Sequence, residues 1–321
     1  IGIIPKKNTT IKHSARGFDT KKYSINEQSY RGDLVPLDEN SKKIIVLGDS
    51  HSFGVGVNDH ETFSYKLDKL LDDYRVMNVS SPGWGLTHQI NRYMTIGEIH
   101  NPEVIIIQFC SNDPSDNLRE KSIVWDEAKS EFVKIKIQKS DYNSIKNLLT
   151  NVPFVFDFLS GNSLIYQRSK QIFARYIIRD TKKIAQDFID SDQIELSLQR
   201  NYISLLDKFI TKLVDENKKV IFIDVASQLK NFNQEIYSFV LNQDNKKRIN
   251  YLDVSKWVNE SYYEKYDLGP GFTHYWGNYS NRWIAIKLAE HITNNYDLQE
   301  FDWFESIKKL DMIDKCDELT C

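Results

Sequence analysis

Three cysteines among 321 residues are too few and too scattered to set a disulfide framework, and none sits in a zinc-site spacing. Cys110 closes an apolar run and reads as a small packed hydrophobe. Cys316 and Cys321 lie in a polar tail, where a pair and two free thiols both stay open. No stretch of about 18 consecutive apolar residues occurs, so no segment of this sequence reads as a membrane-spanning helix. An excess of one charge is missing too. Lys and Arg number 42 against 45 Asp and Glu, a net charge of −3, which leaves no electrostatic footprint for nucleic acid. The densest basic run, Lys246-Lys247-Arg248, reads as a solvated face. H-E-x-x-H, paired Cys-x-x-Cys and G-x-x-x-x-G-K are all absent, so neither a metal nor a nucleotide cofactor is expected. There is no internal repeat and no low-complexity tract. The chain begins at Ile1 and not at Met, which suggests that a segment has been removed ahead of it and is compatible with a lost signal peptide or anchor.

What the sequence does contain is a regular alternation. Residues 1–40 are polar and irregular and read as an extended lead-in. Lys43–Leu47 is a continuous apolar strand, followed by helical spacing over 61–71, a second strand over 74–80 and a helix over 87–99 capped by Thr87. "VIIIQFC" (104–110) is a third strand, too apolar to have a wet face. A long helix over 196–217 leads into "KVIFIDV" (219–225). A shorter helix near 230–242 leads to "INYLDV" (249–254), and a last helix covers about 278–293. Apolar strands alternating with helices predict a parallel sheet of about five strands in a three-layer α/β/α domain spanning 41–293. The stretch 118–195 breaks the rhythm. With Tyr166, Phe173 and Tyr176 it reads as an insertion that caps one end of the sheet and narrows access to Ser50. The tail, 294–321, carries "FDWFE" and is expected to dock through its aromatics.

In such sheets ligands bind outside the carboxyl ends of the strands. The first strand delivers Gly48-Asp49-Ser50 there. The second delivers Asn78 and then Ser81-Pro82-Gly83-Trp84-Gly85, and the third Ser111-Asn112-Asp113. The fifth delivers Asp253 and leads to a loop with His274. A hydroxyl, a glycine turn, a side-chain amide and an imidazole form the inventory that acyl transfer needs. A serine is a poor nucleophile until a base takes its proton, and the tetrahedral intermediate needs preorganised donors. The Ser50 and Gly83 N–H groups and the Asn112 side-chain amide could supply three. Taken singly, a serine after a strand is ordinarily a helix cap, Asn112 an Asx-turn residue and Gly83 a turn glycine. His51 adjoins Ser50 and is poorly placed to be its base. Trp84 and Trp276 flank the site and are more often core than sugar platforms.

Together these segments resemble a family. "GDSHSFGVG" (48–56) looks like the first block of the SGNH, or GDSL-type, hydrolases. "NVSSPGWGLTHQ" (78–89) resembles the second, with Gly83 matching its glycine, and "QFCSNDPSDN" (108–117) the third, with Asn112 matching its asparagine. "THYWGNYSNRWIA" (273–285) looks like a variant of the last, which places His274 as base. "SINEQSYRG" (24–32) is similar to the lead-in of some bacterial members. The resemblance covers roughly 24–113 and 250–290. It implies a flavodoxin-like fold and a serine esterase or acyltransferase without a cofactor, distinct from the G-x-S-x-G elbow enzymes. Bacterial relatives act on O-acetyl and other acyl groups of envelope glycans, so it implies a carbohydrate ester as substrate and a cell-envelope or secreted location. O-acyltransfer to a sugar hydroxyl and a non-catalytic glycan-binding module are the other readings. One departure concerns the acid that usually precedes the last histidine by two or three residues, where this chain has Phe272 and Gly271. Asp267, a main-chain carbonyl, Glu264 and Asp253 are the candidates to orient His274.

Overall fold

The structure is a computed structural model, and it describes residues 4–15, 18–32, 41–119, 123–134, 191–224, 233–257, 276–297 and 300–316. Its centre is a five-stranded sheet of β3 (Lys42–Leu47), β4 (Tyr74–Asn78), β5 (Val104–Phe109), β8 (Lys219–Asp224) and β9 (Asn250–Asp253), in the order β4-β3-β5-β8-β9. Every pairing in it is parallel, with Val46 opposite Asn78 and Leu47 opposite Ile107.

Period two explains the layers. Ile45, Leu47, Ile105, Ile107 and Phe222 point to one face, where they meet α3 (Leu86–His100), α5 (Ser191–Asp215) and α6 (Gln234–Asn245). Ile44, Val46, Ile106, Ile221 and Ile223 point to the other face, onto α2 (Phe63–Leu70) and α7 (Asn278–Ile292). Both faces of the central strands are therefore dry, which is why the strands read as unbroken apolar runs. Each fully buried Ile, Val or Leu contributes on the order of 1.5–3 kcal/mol relative to exposure.

The polar lead-in holds structure that its composition hides. Strands β1 (Thr9–Ala15) and β2 (Phe18–Ile25) pair as an antiparallel ribbon. Among its described side chains the ribbon buries two alternate residues at its inner end, Tyr23 and Ile25, against Phe53 and Val55. Lacking an apolar face along its length, it shows no strand signal in the sequence. Arg31 then fixes the ribbon to the body. Its guanidinium lies over the rings of Tyr23 (4.2 Å) and Phe53 (4.8 Å), ion-pairs with Asp59, and donates to the Val57 carbonyl at 2.9 Å.

One further stretch differs from expectation. Helix α3 starts at Leu86 with Gly85 at its N-cap, so Thr87 lies inside the first turn and is not the cap. Within 118–195, β6 (Ile123–Asp126) and β7 (Glu131–Lys134) form a hairpin whose Ile123 and Phe132 join the core beside α3 and α5. Tyr166, Phe173 and Tyr176 lie outside the described residues. In the tail, α8 (Trp303–Cys316) docks partly by Trp303 on Trp283, at 6.4 Å between ring centroids. It docks also by charge, since Asp314 pairs with the fully buried Lys66 of α2 and with Arg282 of α7.

Candidate active site

The chain crosses from β3 outward to β4 and then returns to β5 on the other side of β3, so the strand order reverses between β3 and β5. Open α/β sheets bind ligands outside the carboxyl ends of the strands at such a reversal. Ser50 follows β3 by three residues, and Asn112 follows β5 by three.

Ser50 opens the one-turn helix α1 (Ser50–Phe53) and is 8% exposed. Its position is set from beneath. Asp49 is the N-cap and accepts the His51 N–H at 3.0 Å, while the Ser50 hydroxyl reaches Asp49 Oδ2 at 3.4 Å. Gln108, the one polar side chain of β5, accepts the Asp49 N–H at 3.1 Å and the Ser52 N–H at 3.4 Å. A Cβ on Gly48 would stand 2.5 Å from Gln108 Oε1, so only glycine lets the turn rest on that amide. Gly54 closes α1 in the left-handed region at φ +82°. Asn78, at the end of β4, donates to the Ser52 carbonyl at 2.7 Å and to Ser64 Oγ at 2.9 Å, which makes it a strut under α1.

The neighbouring segments are tied to this turn. Ser81 N–H donates to the Gly48 carbonyl at 3.3 Å, and the Trp84 N–H closes a turn onto the Ser81 carbonyl. Gly83, exposed at φ +78°, is the outer residue of that turn. Gly85 packs so closely that a Cβ would meet the Asp113 carbonyl at 2.8 Å, and the Thr87 N–H donates to Asn117 Oδ1 at 2.9 Å. Asn112, just ahead of α4 (Asp113–Arg119), is half-buried and gives one amide N–H to Asp116 Oδ2 at 2.6 Å. Ser50, Gly83 and Asn112 thus stand on three adjoining strand ends. His274, Asp267 and Glu264 lie outside the described residues. Asp253 ends β9 and lies 3.6 Å from Lys256 Nζ. Trp84 and Trp276 are 2% and 5% exposed, so both are core and neither offers a face to a sugar.

The acids under the turn differ in charge. Burial pushes the Asp49 carboxyl up, but hydrogen bonding to His51 and the His51 charge outweigh it and leave Asp49 below the ordinary range. Asp113, fully buried, is held well above that range by burial and then by the Asp49 charge. Burial also raises the Cys110 thiol. Asp49, His51 and Cys110 bring one possible ligand atom each within 4.8 Å of one another. All three are buried, and Asp49 already accepts the His51 N–H at 3.0 Å, so the trio is a packed polar contact beneath the turn.

Two residues under the site escape sequence reasoning. Gln108 had a signal, a lone amide inside an otherwise apolar strand. His51 had none, since its partners Asp49, Cys110 and Trp276 come from three different segments.

No family model matches the chain, and no curated protein does. Among solved structures it is similar to a member of the lipolytic protein G-D-S-L family from Veillonella parvula, at 12% identity over 79% of this chain and 99% of the other, with a TM-score of 0.44. It is similar to a psychrotrophic esterase from a Pseudoalteromonas species, at 11% identity over 85% and 100%, with a TM-score of 0.40. A catalytic mutant of an acetylxylan esterase from Geobacillus stearothermophilus matches at 11% identity over 78% and 94%, with a TM-score of 0.42. The three-layer fold itself follows from the strand order and register of this chain.

Proposed function

We propose that this chain hydrolyses a carboxylic ester through Ser50, the ester being an O-acyl group, acetyl above all, on a carbohydrate. His274 takes the Ser50 proton as Oγ attacks the ester carbonyl carbon. The negative charge that develops on the carbonyl oxygen is met by the Ser50 and Gly83 N–H groups and the second N–H of Asn112. The imidazolium then protonates the departing sugar oxygen, and water, activated by the same imidazole, releases the acyl group from Ser50. Asp267 orients the imidazole, with a main-chain carbonyl as the substitute if it does not. A cell-envelope or secreted location accompanies such a substrate.

The observation that carries this reading is the construction under Ser50. A buried amide, an N-cap carboxylate and a glycine that tolerates no Cβ all fix one serine, and that serine adjoins the Gly83 and Asn112 segments. A serine that merely capped a helix would need none of them. The second reading, a glycan-binding module without turnover, is favoured by one feature, Phe272 and Gly271 where the resembled family has its acid.

A fluorophosphonate probe separates the two. Labelling of wild-type protein that disappears in Ser50→Ala, together with loss of p-nitrophenyl acetate hydrolysis, is expected. A Ser50→Ala variant that keeps more than about a tenth of the activity places the nucleophile elsewhere, because loss of a nucleophile costs several orders of magnitude. A wild-type protein that takes no label supports the binding module.

A further inference from the structure

We infer that Asp116 is a positioning residue that holds the Asn112 amide as an oxyanion donor. The inference rests on the reading of Asn112 as that donor. Asn112 stands just ahead of α4, and its carbonyl accepts the Ser115 N–H at 3.1 Å, the Asp116 N–H at 2.9 Å and the Ser115 hydroxyl at 2.8 Å. An asparagine in that place ordinarily turns its side-chain oxygen onto the N–H of the second or third helical residue. Here the second is Pro114, which has no N–H, and the Ser115 N–H goes to the Asn112 carbonyl. The Asn112 side chain presents its nitrogen instead, and Nδ2 donates to Asp116 Oδ2 at 2.6 Å. A carboxylate oxygen accepts and cannot donate, so this bond fixes which end of the amide is the nitrogen.

Asp116 is itself held, being 3% exposed on the first turn of α4. That turn is tied to the end of β5, where the Asp113 N–H donates to the Cys110 carbonyl at 2.9 Å and the Cys110 N–H to Asp113 Oδ2 at 3.2 Å. It also meets the glycine turn. Asn117 Oδ1 accepts the Thr87 N–H, and the Asp113 carbonyl lies where a Cβ on Gly85 would stand. The carboxylate that orients Asn112 is thus borne on the frame that also places the segment of Gly83. The last torsion of an asparagine is broad, so an untethered amide samples many planes. A donor stabilises developing charge best when it needs no reorganisation as the reaction occurs, and the bond to Asp116 removes that freedom. An acid in the first turn of a helix has a plainer use, because it suits the positive end of the helix dipole. That use would show in stability and leave the rate alone.

The test compares Asp116→Ala, Asp116→Asn, Asp116→Ser, Asn112→Ala and the double variant Asn112→Ala with Asp116→Ala, by kcat and KM for p-nitrophenyl acetate, with urea unfolding midpoints alongside. Loss of an oxyanion donor costs about 10²–10³ in kcat, so Asn112→Ala sets the ceiling. Asp116→Ala should lose about 10- to 100-fold in kcat with KM within about twofold, since a misplaced catalytic group costs up to about 100-fold. Asp116→Asn keeps an oxygen acceptor of the same shape and should recover most of that rate. The double variant should stay within about twofold of Asn112→Ala, because Asp116 reaches the reaction only through that amide. If Asp116→Ala fails to fold, Asp116→Ser decides, its hydroxyl being one bond short of the carboxylate oxygen it replaces. A folded Asp116→Ser with lowered kcat supports the inference, and one with unchanged kcat overturns it. Losses that add fully in the double variant, or lower midpoints with unchanged kcat, also overturn it and leave Asp116 an acid that suits its helix. A wild-type protein without turnover, or Asn112→Ala at the wild-type rate, overturns the functional reading and this inference with it. A slow Asn112→Ala beside Asp116→Ala at the wild-type rate overturns this inference alone.

Discussion

Replacing Gln108 by methionine is expected to damage both the fold and the turnover of this protein, although residue 108 touches no substrate. Methionine has nearly the volume of glutamine, and volume-conserving exchanges in a core cost under about 1.5 kcal/mol. What disappears is the acceptor for two main-chain donors, the Asp49 N–H at 3.1 Å and the Ser52 N–H at 3.4 Å. Both residues are buried, and a buried donor left without a partner costs about 1–3 kcal/mol. The 3.4 Å bond is long and belongs at the lower end of that range. The sum is about 2–4 kcal/mol. Gln108 Nε2 has no hydrogen-bond partner among the described residues, so the lost nitrogen adds little to this figure. Urea unfolding of Gln108→Met against wild type reads the stability term directly. Because the released amides flank Ser50, kcat for p-nitrophenyl acetate should fall by about 100-fold, the cost of a displacement near 1 Å. A stability loss under about 1 kcal/mol, with an unchanged kcat, would refute the view that Gln108 builds the turn.

Asn112→Ala should lower kcat by about 10²–10³ with little change in KM, the mark of a donor that acts in the transition state; a raised KM with unchanged kcat would make Asn112 a substrate-positioning residue. Asp113, whose folded carboxyl is held above its unfolded value of about 3.9, contributes stability that is complete below pH ~3.9 and is lost as pH rises towards the folded value. Asp113→Asn should therefore gain on wild type in unfolding free energy as pH rises from about 4 to neutral, and a difference that shrinks over that range counts against the assignment. Asp314→Ala strands the buried Lys66 and should cost about 3–5 kcal/mol, whereas Lys66→Met with Asp314 kept partly exposed should cost far less; equal losses would show that the pair acts only through packing.

Much of this architecture is legible in the sequence because its central strands are dry on both faces. "IIVL" and "VIIIQF" have no polar alternation, and parallel strands covered by helices are what such runs form. The placement of Ser50, Gly83 and Asn112 on adjoining strand ends was legible for the same reason, since counting a few residues past each strand needs only strand boundaries. What was not legible depends on partners distant in sequence. The 9–25 ribbon buries too few apolar residues to show a period, and Arg31 anchors it through the rings of Tyr23 and Phe53 and the carbonyl of Val57. Lys66 looks like an ordinary surface lysine on an amphipathic helix until Asp314, 248 residues later, covers it. The cap of α3 was misplaced because Thr87 is a good capping residue by type, while the close approach of Asp113 and Asn117 at Gly85 fixes the true start two residues earlier.

The division of charge beneath the turn bears on how the proposed oxyanion site would work. Two buried carboxyl groups, Asp49 and Asp113, lie close enough that the charge of one raises the other, so the pair does not ionise together readily. His51 decides which carries the charge, by giving its N–H and its imidazole to Asp49. Burial and the Asp49 charge hold the Asp113 carboxyl well above the ordinary range, next to Asn112. A second anion at position 113 would stand beside the amide that is proposed to receive the developing oxyanion, and would oppose it in a low-dielectric setting where such repulsion is strong. Asp116 accepts one N–H of Asn112 and so fixes the plane of its amide, which has a second N–H to give. On this argument Asn112→Asp is worse than Asn112→Ala. Alanine removes a donor, whereas aspartate removes it and adds a carboxyl group beside those of Asp113 and Asp116.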